Sequence, residues 1–190
     1  MNKYILASFN KNKLLEISSQ LNHIELLSLR DVDYNQEIIE SGITLQENAL
    51  IKARTIYSKF HVACISDDTG LEVFTLDRAP GVFSARYAGP NCSSNDNILK
   101  LLNKMKGCHD RRARFRTVIC LKSHLEEKFF EGCVNGVISN KKKGDQGFGY
   151  DPVFIPDGYD ITFAQMSLKE KNKISHRSQA VKKLIQYLNL

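Results

Sequence analysis

The chain has 190 residues, of which 42% are hydrophobic and 25% charged, a globular composition that argues against disorder and against membrane spans. Lysine and arginine outnumber the acids 27 to 21, and the resulting net charge of +6 predicts attraction to polyanions, whether nucleic acid or small phosphorylated ligands. The length predicts one domain over residues 1–190, with one site rather than several modules.

The N-terminal segment indicates the cellular compartment of the protein, and the cysteines indicate which kinds of site are not expected. Polar residues interrupt the first ten residues, which lack the apolar core of a secretory signal, so we expect a cytoplasmic protein. The five cysteines form no C-x-x-C pair, and no paired histidine motif accompanies them. This pattern argues against a zinc site or a disulfide framework.

The first part of the chain alternates strand and helix. Residues 3–8 predict a short strand, and apolar residues at helical spacing predict a helix after Asn10. A strand at 24–29 and a polar, acidic loop at 31–42 follow. Thr44, with a glutamate three residues later, predicts the start of a second helix through a capping box.

The middle of the chain contains the most apolar predicted strand. Residues 62–66 are apolar almost throughout, which predicts a central strand covered on both faces. The Asp68–Gly70 stretch predicts a tight turn into a partner strand at 71–76. A helix is expected near Ser94.

Strands are predicted at 115–121 and 128–139, and an amphipathic helix with Val181, Leu184 and Leu188 on its apolar stripe closes the chain. Strand and helix alternate, but with at least one hairpin. The fold class is therefore α/β, with a mixed sheet and flanking helices.

Residues 8–13, Ser-Phe-Asn-Lys-Asn-Lys, connect the first strand to the first helix. The first backbone N–H groups of a helix favour an anion, and Ser8, Asn10 and Lys13 can add hydrogen bonds and a positive charge. The glycines of a Walker A loop are missing. An equally acceptable interpretation is that Asn10 simply caps the helix.

Asp67 and Asp68 place two carboxylates side by side after the apolar strand. Like charges raise each other's pKa, and a divalent cation offsets their repulsion; oxygen ligands of this kind suit Mg²⁺. Neighbouring residues of a strand face opposite sides, so only one of the two is expected to act directly. Glu40 is a candidate second carboxylate, and the competing interpretation is a turn-forming Asp-Asp-Thr-Gly.

Two later segments carry further candidates. In Gln-Gly-Phe-Gly-Tyr-Asp-Pro (146–152), the glycines allow close approach to a ligand, and Phe148 or Tyr150 can stack on a planar base. The alternative is a Gly-Pro loop with a core aromatic. Between 167 and 180, a capping box precedes Lys171, His176 and Arg177. Cations at the start of a helix oppose the positive end of the helix dipole, so they indicate an anionic or carbonyl-rich ligand nearby. The alternative interpretation is a solvated basic loop.

Taken together, the motifs resemble the inosine triphosphate pyrophosphatase family. The matching blocks occur in family order over nearly the whole chain: ILASFNKNK, ESGITLQENALIKA, SDDTGLEV, APGVFSARYAG, GFGYDPVF and ISHRSQA. The resemblance implies a long twisted mixed sheet with flanking helices, in two lobes around a central cleft, and a homodimer. It also implies hydrolysis of deaminated purine nucleoside triphosphates (ITP, dITP, XTP) to the monophosphate and diphosphate, with Mg²⁺ as cofactor.

The resemblance further assigns roles to residues at matching positions. Asp68 is the catalytic carboxylate and shares the metal with Glu40. Phe148 stacks on the base. The full set of substrate-binding residues that it implies is Ser8, Phe9, Asn10, Lys11, Asn12, Lys13, Thr69, Phe148, Gly149, Tyr150, Asp151, Lys171, His176 and Arg177.

Two alternatives remain open at the level of sequence. One is a related Maf-like pyrophosphatase acting on pyrimidine or modified nucleotides. The other is a nucleic-acid-binding protein, which the positive charge allows; its basic clusters, however, are not interleaved with aromatic residues, and we expect no stable nucleic-acid partner.

Overall fold

The structure is a computed structural model that describes residues 3–21 and 24–189. In this part of the chain the helices are α1 (Lys11–Ser18), α2 (Leu45–Phe60), α3 (Ser94–Lys104), α4 (Leu168–Ile174) and α5 (His176–Leu188). The strands are β1 (Lys3–Leu6), β2 (Glu25–Ser28), β3 (Cys64–Val73), β4 (Pro80–Gly81), β5 (Arg112–Lys122), β6 (Glu127–Ile138) and β7 (Phe154–Pro156).

The strands form one mixed sheet in the order β2-β1-β3-β5-β6-β7, with β4 paired to β3. β1 runs parallel to β2 and to β3, whereas β4 pairs with β3, and β7 with β6, in the antiparallel direction. The predicted α/β fold class with a mixed sheet and flanking helices is confirmed. β3 lies inside the sheet and is buried along almost its whole length, as its apolar start predicted.

One local prediction is wrong. Residues 68–70 do not form a turn, and 71–76 is not a separate partner strand, because β3 continues without a break from Cys64 to Val73. Only the short 3₁₀ turn Phe74–Leu76 follows it. The two acids therefore lie in the middle of a buried strand, where charged partners replace the solvent that a turn would have given them.

The start of α2 is close to the prediction. The Thr44 hydroxyl accepts a hydrogen bond from the Glu47 amide at 3.1 Å, as an N-cap residue does. The Glu47 carboxylate accepts from the amide of Ile43 at 2.7 Å instead of from Thr44. The reciprocal bond of a capping box is thus displaced by one residue.

The chain divides into two compact units, each assembled from separate stretches. Unit 1 consists of Met1–Asp68, Thr117–Gly132 and His176–Leu190, and its core includes Leu6, Ile65, Ile119 and Val181. Unit 2 consists of Thr69–Arg116 and Cys133–Ser175, and its core includes Leu71, Leu101, Phe115 and Phe154. Within residues 3–21 and 24–189, no helix combines the length and apolar character needed to cross a bilayer.

Candidate active site

The two acids of β3 have different surroundings within unit 1. Asp67 is completely buried and forms ion pairs with Lys13 of α1 at 3.1 Å and Arg177 of α5 at 3.2 Å. Asp68 instead contacts residues of α2. Adjacent residues of a strand point to opposite faces, so one acid meets α1 and α5 and the other meets α2.

Arg177 connects Asp67 to a second buried acid. Its guanidinium also pairs with Glu16 of α1, and it is 1% exposed. Burial by itself would raise the pKa of the Asp67 carboxyl, but the charges of Lys13 and Arg177 outweigh it and hold that pKa below its usual range. Asp67 is therefore ionised and tied to two helices.

Asp68 belongs to a separate group of polar side chains. Lys52 of α2 donates to Glu40 at 2.8 Å and to Asp68 at 3.4 Å, and the Asn48 amide donates to the other oxygen of Asp68 at 3.4 Å. The Asn48 carbonyl oxygen accepts from the backbone N–H of Gly42 at 2.8 Å. One face of α2 therefore holds both Asp68 and the loop that carries Glu40.

Burial and charge act in opposite directions in this group. Burial raises the pKa of the Asp68 carboxyl above its ordinary value, although the nearby Lys52 opposes it. Burial would lower the pKa of Lys52, but the charges of Asp68 and Glu40 outweigh burial and raise it. The ammonium of Lys52 thus stays positive between two carboxyl groups.

The 8–13 loop lies at the start of α1. The Asn10 side chain accepts from the amides of Asn12 and Lys13 at 3.0 and 3.2 Å, and the Ser8 hydroxyl accepts from the Asn10 amide at 3.2 Å. The capping interpretation of Asn10 is therefore confirmed. Phe9 is 47% exposed and its ring stacks on Tyr34, with the centroids 6.2 Å apart.

A cavity of about 390 Å³ opens beside the same loop in unit 1. Its lining consists of Ser8, Phe9, Asn10, Lys11, Leu14, Leu15, Ser18, Ser28, Leu29 and Arg30. Lys11 and Arg30 give it positive charge, whereas Lys13 and Glu16, on another face of α1, contact the buried ion pairs.

Unit 2 contains the Phe148 loop. Gly147 and Gly149 on either side of Phe148 have positive φ values of 70° and 60°, a conformation that glycine adopts without strain. The Asp151 carboxylate accepts from the Phe148 amide at 2.8 Å, and a Cβ at position 147 would lie 2.1 Å from that carboxylate. The lack of a side chain at Gly147 therefore allows Asp151 to fold back onto the loop.

Lys171 of α4 supports this loop from within unit 2. It is 2% exposed, donates to Asp151 at 2.5 Å, and lies 5.1 Å from the centre of the Phe148 ring. An ammonium at this distance from an aromatic face attracts it. Lys171, Asp151 and Phe148 therefore form one supported group.

The other predicted site residues are placed as follows. Tyr150 lies in the core of unit 2, where its hydroxyl donates to the Ser84 carbonyl at 3.0 Å, so of the two rings proposed for stacking only Phe148 is partly exposed. Thr69 follows Asp68 on β3 and is partly exposed. His176 begins α5 and is 2% exposed.

Comparison with known proteins identifies the family. The sequence profile of the Ham1 family matches residues 4–187. The chain belongs to the Ham1 family. The family resemblance drawn from the motifs is thereby confirmed.

Similar proteins match nearly all of the chain. A Christiangramia forsetii protein named dITP/XTP pyrophosphatase is 48% identical over 188 residues, which are 98% of this chain and 99% of that protein. A Porphyromonas gingivalis protein of the same name is 46% identical and covers 99% of this chain, with 98% of its own length matched. The solved structure of the Staphylococcus aureus Ham1 protein has a TM-score of 0.90 at 39% identity, with 99% of this chain and 98% of that one covered.

The donor atoms of this Ham1 chain fit a divalent cation that brings other ligands with it. No group of three or more His, Cys, Asp or Glu residues converges in residues 3–21 and 24–189. Glu40 and Asp68, however, both direct a carboxylate oxygen at the nitrogen of Lys52. Mg²⁺ is commonly held by one or two carboxylates together with water and substrate phosphates, and this pair matches that number of carboxylates.

Sequence reasoning missed three polar residues of this site: Glu16, Asn48 and Lys52. The signal for the last two was present in the spacing. The buried residues of α2 are Leu45, Asn48, Ala49, Lys52, Ala53 and Ile56, a single helical face. An amide and a lysine on an otherwise apolar face predict buried polar partners.

Proposed function

We propose that this chain hydrolyses deaminated purine nucleoside triphosphates, namely ITP, dITP and XTP, to the monophosphate and diphosphate. Membership of the Ham1 family and the dITP/XTP pyrophosphatase names of relatives 46–48% identical to it support the proposal. Such an enzyme is a nucleoside triphosphate pyrophosphatase, a hydrolase of phosphoric anhydride bonds.

The observation that carries the proposal is the buried carboxylate of Asp68, which contacts the same ammonium, that of Lys52, as the carboxylate of Glu40 does. In the reaction, water attacks at phosphorus, the bridging P–O bond between the α and β phosphates breaks, and diphosphate leaves. We assign to the Asp68 carboxylate the uptake of a proton from the attacking water. Glu40 and Asp68 would hold Mg²⁺, which when bound supplies neutralisation of the phosphate charge.

We assign binding of the triphosphate to residues 8–13. Lys13 brings a positive charge close to β3, and the hydroxyl and amide side chains of Ser8 and Asn10 lie at the capped start of α1. Phe9, before the helix, and Lys11 and Asn12, in the first turn of α1, are exposed. Backbone N–H groups at the start of a helix favour phosphate.

We assign base stacking to Phe148, with Gly149, Tyr150 and Asp151 shaping its loop and Thr69 as a further substrate contact. Discrimination among bases would follow from hydrogen-bond direction. Hypoxanthine and xanthine present a 6-oxo acceptor, whereas adenine presents an amino donor, and an unpaired buried donor costs about 1–3 kcal/mol. The donors proposed for this role are Lys171, His176 and Arg177.

Lys171 and Arg177 also bond carboxylates of the chain itself, Lys171 to Asp151 and Arg177 to Glu16 and Asp67. Their part in base choice therefore includes positioning those carboxylates. We also propose that the protein forms a homodimer, which light scattering of the purified protein tests. We propose in addition a cytoplasmic location, which fractionation of cells tests.

A substrate panel tests the function. Diphosphate release is measured from ITP, dITP, XTP, GTP and ATP, with and without Mg²⁺, for the wild type, Asp68→Asn and the control Asp160→Asn, an exposed acid of unit 2. We expect Mg²⁺-dependent release from the deaminated nucleotides, almost none from Asp68→Asn, and wild-type rates from the control. Full activity of Asp68→Asn, or preference for ATP, would contradict the proposal.

A further inference from the structure

The position of Lys52 suggests more than an ordinary ion pair. Its ammonium lies 2.8 Å from an oxygen of Glu40 and 3.4 Å from an oxygen of Asp68, and its side chain is 8% exposed. The oxygens that it contacts belong to the two carboxylates that fit a divalent cation. The buried ammonium of Lys52 thus occupies the region in which those carboxylates converge.

We propose that Lys52 is an internal counter-ion that competes with the divalent cation: it neutralises Glu40 and Asp68 when no metal is bound, and its ammonium withdraws when metal binds. The inference rests on the proposed function, because that function assigns the metal to these two acids. It concerns the metal-free state of the protein, which the proposed reaction leaves undefined.

Charge balance supports this competition. In the protein without metal or substrate, the two ionised carboxylates and the one ammonium together carry one net negative charge. Addition of a divalent cation to the same oxygens would place three positive charges among two negative ones, and like charges at such distances in a buried site repel strongly. The ammonium must therefore move away from at least one carboxylate.

The surroundings allow Lys52 to move without loss of the site. Asn48, one turn earlier on α2, holds Asp68 and the Gly42 amide independently of Lys52. The neighbouring charges of Lys13, Asp67 and Arg177 are already paired with each other. Glu40 is 30% exposed, so its loop can accommodate a new ligand near solvent.

The first experiment measures binding of Mn²⁺ to the protein without nucleotide, from the electron paramagnetic resonance signal of free Mn²⁺. We expect Lys52→Met to bind Mn²⁺ about tenfold more tightly than the wild type, because the competing charge is gone. Lys59→Met is the matched control. Lys59 is an exposed lysine of the same helix that contacts the rings of Tyr34 and Phe60, and its loss should change the affinity less than about twofold.

Two further variants separate this inference from the proposed function. If Asp68→Asn and Glu40→Gln leave Mn²⁺ binding unchanged, the metal assignment in the proposed function is wrong. If they weaken binding while Lys52→Met leaves it unchanged or weaker, the metal site is supported and the competition by Lys52 is wrong.

A second measurement uses the wild-type protein and does not depend on the folding of Lys52→Met. Lysines labelled with ¹³C at Cε are observed by NMR during titration with Mg²⁺, and Lys52→Arg identifies the Lys52 signal. We expect the Lys52 signal to shift as Mg²⁺ saturates the site, and this shift to disappear in Asp68→Asn. A Lys52 signal that stays in place at saturation would overturn the proposal.

Discussion

Arg177 has the largest fully buried side chain in the described part of the chain, and that side chain carries a charge. A charge in that position is tolerated because Glu16 and Asp67 both bond the guanidinium. Removal of one partner of a buried pair usually costs about 3–5 kcal/mol, because the remaining charge stays buried without compensation. Arg177 therefore stabilises unit 1.

We predict that Arg177→Met lowers the free energy of unfolding by about 3–5 kcal/mol, measured by urea denaturation. Arg54→Ala is the control. Its pair with Glu127 lies in the same unit, but the arginine side chain is 58% exposed, and such pairs contribute at most about 1 kcal/mol. The double variant Arg177→Met with Glu16→Gln should be less destabilised than the sum of the single changes. Equal effects at Arg177 and Arg54 would contradict this account.

Lys171 leads to a prediction about specificity. Without its ammonium, Asp151 remains buried without its lysine partner and the Phe148 ring loses the cation beside it. We predict that Lys171→Met lowers the ratio of kcat/KM for ITP over ATP by about tenfold, equivalent to ~1.4 kcal/mol. Lys169→Met, at an exposed position of the same helix, should leave the ratio unchanged. An unchanged ratio in Lys171→Met would show that base choice depends on other residues.

At the scale of whole elements, the sequence predicts the positions of the helices more accurately than it predicts the length of β3. The stripes of α1, α2 and α5 repeat within a few residues, so a local pattern is enough to find them. The Asp-Asp-Thr-Gly of β3 has the composition of a turn, and its partners lie far along the chain. Asp67 pairs with Arg177, 110 residues away, so no local pattern reveals that the acids can remain in a strand.

The site shows the same division between local and distant information. The carboxylate pair and the glycines around Phe148 are visible as short motifs. The two buried groups of ion pairs, one with Glu16 and one with Lys52, are not, because the members of each come from separate elements and their burial depends on the tertiary structure. The polar positions on the apolar face of α2 were the one local sign of the Lys52 group.

Gly132 shows how closely β6 and α5 pack in unit 1. A Cβ built at this position would lie 1.9 Å from the carbonyl oxygen of His176 and 2.7 Å from the backbone nitrogen of Ala180. Both atoms belong to the backbone of a helix, so neither can move aside as a flexible side chain would. The absence of a side chain at 132 is therefore required for α5 to pack on this strand.

We predict that Gly132→Ala destabilises the protein by more than about 3 kcal/mol, measured by thermal or urea unfolding, because overpacking forces the helix away from the strand. The control is Gly107→Ala, which has φ of 77° and no atom within 4 Å of the added Cβ. That change should cost only the left-handed strain of about 1–2 kcal/mol. A smaller loss at 132 than at 107 would show that α5 does not depend on this contact.

At the scale of the whole molecule, the chain divides into two compact units, and each unit draws on stretches separated by tens of residues. Composition and periodicity report on neighbouring residues, so they cannot show which distant stretches share a core. The two hydrophobic clusters, one within each unit, make this division visible.

The net charge of +6 has a measurable consequence for an enzyme of anionic substrates. Positive charges on the protein surface attract a triphosphate, and salt screens this attraction beyond the Debye length, which is about 10 Å at 0.1 M. We predict that kcat/KM for ITP falls several-fold as salt rises from about 50 to about 300 mM. Inhibition by inosine monophosphate, which carries fewer charges, should depend less on salt.

The same salt series separates catalysis from nucleic-acid binding, which the positive charge also allows. A protein that neutralises many phosphates loses about 10³–10⁵ in affinity over a similar range, because each contact releases counterions. Retention of duplex or single-stranded DNA in gel shifts should therefore be weak and should vanish near physiological salt, while diphosphate release continues. Tight retention at that salt, without nucleotide hydrolysis, would mean that the charge serves a nucleic-acid partner and that the proposed enzyme function is wrong.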